Sequence, residues 1–155
     1  MALKVGFVGV GGIARRHLTY CQSREDVEIV GHADVSLERA EQAAAEFGGR
    51  AYDHYEGLYD QAQPDVLVIC TPPFAHGDIE EAACARKLPF FVEKPVAVNM
   101  ELAQRVQKAV ADSGVATQVG YMFRFSPALR KVRELLGQHQ VAMVQAHYYM
   151  PGLPP

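Results

Sequence analysis

The chain reads as a doubly wound α/β domain on a parallel sheet, followed by the truncated start of a second, α+β domain. Three observations predict it. Short apolar runs alternate with helix-period stretches from Leu3 to Val119. The runs are apolar on both faces, as strands are when helices cover both sides of a parallel sheet. A glycine cluster, Gly9-Val10-Gly11-Gly12, joins the first run to the first helical pattern, inside a strand–helix–strand unit of about 30 residues.

The elements follow in order. Leu3 to Val8 is the first strand. A helix runs from Gly12 to about Ser23, with Ile13, His17 and Cys21 on its inward face at a spacing of four. Val27 to Ala33 is the second strand. Ser36 caps the next helix, whose stripe is Leu37, Ala40, Ala44 and Phe47, and Gly48-Gly49 ends it. Arg50 to Tyr52 is a brief third strand, and a short helix near Tyr55 to Tyr59 leads to the strand Val66 to Cys70. Thr71-Pro72-Pro73 breaks the chain. A helix near Gly77 to Arg86, a strand Pro89 to Val92, a helix from about Met100 to Ser113 and a strand Thr117 to Val119 complete the alternation.

Beyond this the pattern changes. Ser126-Pro127 opens a helix with Leu129, Val132 and Leu136, and Val141 to Met150 reads as a long alternating strand before the terminal PGLPP. One helix and one strand cannot form a core of their own. Residues 1–123 therefore read as one domain and 124–155 as a fragment of a second. The alternating strand carries His147, Tyr148 and Tyr149, which read as packing residues, and Val141, Met143 and Val144, which favour pairing with another copy of the chain.

Composition narrows the function classes. The length is one domain's worth, and apolar residues at 49% suffice for a core. A net charge of -3 with scattered Lys and Arg gives no basic stripe, so no nucleic-acid partner is expected. No apolar run is long enough to span a bilayer, and the N-terminus lacks a signal peptide's features, so the expected location is the cytoplasm. Cys21, Cys70 and Cys84 read as small buried fillers, and His32, His54 and His139 lack metal-ligand spacing, so no metal is expected.

The glycine cluster points to a dinucleotide. Gly9 permits the tight turn, Gly11 lets a pyrophosphate approach the backbone, and Ala14 is small enough for helix and strand to pack closely. The helix N-terminus beside them offers unpaired N–H groups and partial positive charge. Asp34 ends the second strand 20 residues beyond Ala14, where an acid receives the adenosine ribose hydroxyls. A carboxylate there repels a 2′-phosphate and favours NAD over NADP. Arg39, five residues on, tempers that preference because it could reach a phosphate.

Two further stretches narrow the reading. CTPPFAH (Cys70 to His76) and FVEKPVAVN (Phe91 to Asn99) each follow the C-terminal end of a strand, where open α/β sheets bind ligands. With the glycine loop and GYMFRFSPAL from Gly120, they resemble the glucose–fructose oxidoreductase and inositol dehydrogenase family over essentially the whole chain, most specifically at Glu93-Lys94-Pro95. The resemblance implies a Rossmann half that binds NAD or NADP and a second half, an open antiparallel sheet, that supplies most of the substrate pocket. It implies that Gly9, Gly11, Gly12, Ile13 and Ala14 line the pyrophosphate and that Asp34 meets the adenosine ribose. Thr71, Pro72 and His76 would lie along the cofactor, with Glu93 near the nicotinamide ribose. Lys94 would be the catalytic residue, beside the nicotinamide and the substrate hydroxyl. A cationic Lys94 there would orient the hydroxyl of a sugar, cyclitol or similar polyol, stabilise developing negative charge and relay the proton. Pro95 fixes the backbone after Lys94, and a cis bond, accessible only before proline, would aim the lysine. Arg124 would hold a carboxylate or serve the hinge.

Family members are usually more than twice this long and place a further acid–base residue in the second half. The expectation is therefore an oxidoreductase parent, with this chain alone binding cofactor and turning over little. The alternative is a non-catalytic NAD(P)-binding sensor or partner-binding protein.

Overall fold

A computed structural model of the chain describes residues 1–140, 142–145 and 147. Six strands form one sheet: β1 (Leu3–Val8), β2 (Val27–Ala33), β3 (Arg50–Tyr52), β4 (Val66–Ile69), β5 (Phe90–Val92) and β6 (Thr117–Val119). Their order is β3-β2-β1-β4-β5-β6 and every pairing is parallel, so the chain reverses its direction of travel between β1 and β4. The helices are α1 (Gly12–Gln22), α2 (Leu37–Phe47), α3 (Tyr55–Gly57, continued by a π-helical turn Leu58–Ala62), α4 (Asp78–Ala85), α5 (Met100–Ser113) and α6 (Pro127–Gln138).

Alternation along the strands divides the core. Val5 and Phe7 of β1 point to one face, where Ala14 and Leu18 of α1 and Ala43 and Phe47 of α2 cover them. Val8, with Leu67 and Ile69 of β4 and Val92 of β5, faces the other side, against Leu58, Tyr59, Ile79 and Ala83. Both faces are thus dry, as strands without polar alternation require. Caps set the helix starts: the Ser36 hydroxyl accepts from the Arg39 N–H, and the Asn99 side chain accepts from the Leu102 N–H at 2.9 Å.

One expected helix face shifts by one residue, and a second keeps Ala40 and Phe47 inward but changes at two positions. α1 buries Ala14 and Leu18, while Ile13 is exposed and His17 half-buried. α2 buries Ala43 rather than Ala44, and Leu37 is exposed. In both, neighbouring apolar residues allow two stripes, and the one that reaches the twisted sheet wins. The expected strand Val141 to Met150 is not formed in its described part: Ala142–Gln145 and His147 belong to no strand. Val141, Ala146, Tyr148, Tyr149 and Met150 lie outside the described residues.

The chain divides into two compact units, Met1–Gly120 and a second that begins at Tyr121. The second contains a 3-10 turn, Met122–Phe125, and α6. No described residue from Tyr121 onward is buried.

Candidate functional site

The loops after β1 and β4 meet at the point where the sheet order reverses. Gly9 turns the chain with φ at 80°. A Cβ there would lie 2.9 Å from the Cys70 carbonyl carbon and from the Thr71 nitrogen. Glycine is therefore required both by conformation and by contact. Gly11 caps α1 with extended backbone and no side-chain hydrogen bond. Added Cβ atoms at Gly11 and Gly12 meet nothing within 4 Å, so open space stands before the helix N-terminus. Its N–H groups and dipole favour an anion there. Ile13 is exposed at this end, whereas Ala14 is wholly buried against β1 and contributes by being small.

β2 delivers Asp34 to the same loops. Its Oδ2 accepts from the Val10 N–H at 3.0 Å, and its Oδ1 accepts from the Ser36 N–H at 2.9 Å and from Arg39 Nη2 at 2.7 Å. Burial pushes this carboxyl up, but the Ser36 and Val10 N–H groups and Arg39 outweigh it and hold it below the usual aspartate range. A cleft of about 490 Å³ opens beside it, lined by Gly9, Asp34, Arg39, Thr71 and Pro72. Sequence reasoning missed Asp53, His54, Tyr55 and Phe74, which line it too. Asp53, His54 and Tyr55 arrive because β3 pairs with β2, and Phe74 arrives on the turn after β4; the His54 and Tyr55 rings lie 4.2 Å apart. The Thr71 hydroxyl is buried with no partner among the described residues. Open N–H groups for a pyrophosphate, an acid for ribose hydroxyls and an unmatched hydroxyl on the wall fit a dinucleotide.

Glu93 and Lys94 follow β5. Glu93 is mostly buried; its Oε1 accepts from His17 Nε2 at 2.9 Å and its Oε2 from the Lys94 N–H at 3.1 Å. His17 thus ties α1 to the Glu93-Lys94 turn, with its ring 5.2 Å from that of Phe91. Lys94 is exposed and its bond to Pro95 is cis. Burial, reinforced by the Glu93 charge, pushes the Cys70 thiol up to about 12.

His76 lies elsewhere than expected. Its side chain is wholly buried, so it stands behind the cleft wall rather than on it. Its Nδ1–H donates to Glu80 Oε1 at 2.6 Å, and Glu80 Oε2 accepts from the Gly77 N–H at 2.6 Å. Arg124 belongs to the second unit, in an open hollow of about 460 Å³ with Phe125, Leu129, Arg130 and Arg133. Among the described residues no cluster of three metal-ligating side chains occurs, and no helix is long and apolar enough to cross a membrane.

Comparison with known proteins agrees with this geometry. The model of the oxidoreductase family with an NAD-binding Rossmann fold matches residues 3–121. The inositol 2-dehydrogenase of Rhizobium meliloti is 30% identical over 147 residues, which is 94% of this chain and 44% of that protein. The scyllo-inositol 2-dehydrogenase (NAD(+)) of Bacillus subtilis is 33% identical over 129 residues, 81% of this chain and 37% of that protein. The WlbA dehydrogenase of Bordetella pertussis, solved with NADH and UDP-GlcNAcA, superimposes with a TM-score of 0.81 at 27% identity, covering 89% of this chain and 42% of that one. The chain spans less than half the length of these relatives. The nucleotide-type cleft at the β1–β4 crossing and the family match over most of the chain lead to one conclusion: this chain belongs to the glucose–fructose oxidoreductase and inositol dehydrogenase family, as its NAD-binding Rossmann domain.

Proposed function

We propose that this chain is the cofactor half of a dehydrogenase that oxidises a secondary hydroxyl of a sugar, cyclitol or similar polyol, or reduces the corresponding ketone. The observation that carries the cofactor reading is the Asp34–Val10 hydrogen bond, which fixes a buried acid against the glycine loop. The polyol class rests on the inositol dehydrogenases among the relatives. NAD, when bound, supplies the hydride acceptor. Gly9, Gly11, Gly12 and Ile13 give the pyrophosphate its N–H groups and space, and Ala14 lets α1 sit close enough to β1. Asp34 takes the ribose hydroxyls, and Thr71 and Pro72 form the opposite wall. Glu93, anchored by His17, holds the turn that carries Lys94. The Lys94 ammonium orients the substrate hydroxyl and stabilises the negative charge that develops on its oxygen. His76 acts from behind the wall, through Glu80 and the Gly77 N–H.

Calorimetric titration with NADH tests this reading. The chain binds NADH, and Asp34→Ala weakens binding by about tenfold or more, the ~1.4 kcal/mol of a charge-assisted hydrogen bond. Absence of binding by the folded chain would overturn it. Polyol oxidation by the chain alone stays at trace level, and Lys94→Ala in a protein carrying the second half removes activity while leaving NADH affinity within about twofold.

A further inference from the structure

The acid that selects the cofactor is matched by a cation of this chain. Arg39 donates to Asp34 Oδ1 through Nη2 at 2.7 Å and Nε at 3.2 Å. The two sides of the pair differ in freedom. The Asp34 side chain is 7% exposed and held by two backbone N–H groups, so it stays in place. The Arg39 side chain is 55% exposed and lines the cleft. Its backbone is pinned in the first turn of α2 by the Ser36 cap, and only the side chain is free to turn.

A lone carboxylate rejects a 2′-phosphate by like charge. A carboxylate paired with a guanidinium carries no net charge, and the guanidinium can offer its planar fork to phosphate oxygens. Other charges on the cleft limit the effect: Asp53 adds a negative charge, while Asp78 is answered by Arg105 at 3.1 Å. We propose that Arg39 is the specificity-determining residue of this cleft, admitting a 2′-phosphorylated adenosine beside Asp34, so that NADPH binds within about tenfold of NADH. NADH remains the tighter ligand. This inference rests on the cofactor reading above.

Four ligands test it by calorimetry: NADH, NADPH and their adenosine-end fragments, ADP and 2′,5′-ADP, which probe the Asp34 corner alone. The wild-type ratio within each pair stays within about tenfold, and Arg39→Gln weakens NADPH and 2′,5′-ADP by about 30-fold while NADH and ADP change by less than about threefold. Arg39→Lys, which keeps the charge and loses the fork, falls between. Arg39 is exposed, and an unchanged melting temperature shows that the fold survives the substitution. Rejection of NADPH by more than about 100-fold by a chain that binds NADH, or equal weakening of both members of a pair, would overturn the inference alone. Failure of all four ligands to bind would overturn the cofactor reading and this inference with it.

Discussion

His32 shows how one buried residue couples this fold to pH. Its ring is wholly buried on β2, 6.1 Å from the Phe7 ring, and its Nε2–H donates to the Gly48 carbonyl at 2.7 Å. Burial holds its pKa below the ordinary histidine value of 6.5, and the Gly48 bond only partly offsets that. Below about 6.5 the unfolded chain takes up a proton that the folded chain refuses, so His32 removes stability as pH falls. The urea midpoint is expected to drop between pH 7.5 and 5.5, and His32→Gln to show a smaller drop from a lower start. The cysteines give a second test at this scale. Cys70 and Cys84 are buried and burial raises the Cys21 thiol, so a thiol reagent at pH 8 labels Cys21 slowly and the other two only after unfolding. Some single residues were legible in sequence and others were not, for a physical reason. Gly9 and Asp34 obey local rules, a turn and a charge at a fixed spacing. The His17–Glu93 bond joins positions 76 residues apart, and Asp53-His54-Tyr55 reach the cleft only through strand pairing.

At the scale of elements, α4 depends on one acid. Glu80 is wholly buried, yet it closes the helix start through the Gly77 N–H and holds His76. Removing it strands a buried N–H and an imidazole together. Glu80→Ala is therefore expected to cost about 3 kcal/mol in urea unfolding, with Glu80→Gln recovering part of it. Because the same loop forms the wall from Thr71 to Ala75, NADH affinity is expected to fall along with stability. The existence and kind of all six strands and of the helices could be read from apolar period and glycine breaks. Their inward faces could not always be read. Ile13 and Ala14 are adjacent and both apolar, and only the sheet's position selects the second. The helical Ser126-Pro127 start was equally visible, but the strand expected after it needs a partner that no local pattern supplies.

For the whole molecule, every buried residue among those described lies between Val5 and Val106. The two core clusters and their partly buried neighbours stay within the first unit. A chain ending at Gly120 is therefore expected to melt within about 4 °C of the longer one, the shift that ~1 kcal/mol produces at this size. A larger loss, seen by circular dichroism, would show that the second unit supports the first. The sheet's rims carry a different consequence. β3 and β6 stand at its two ends, and each is three residues long. Such short rims expose few unsatisfied backbone groups to a neighbouring molecule. Edge-to-edge strand addition into fibres at these two rims is therefore a poor route, and the sheet is expected to tolerate the crowded, concentrated conditions that turn long-edged strand proteins into amyloid.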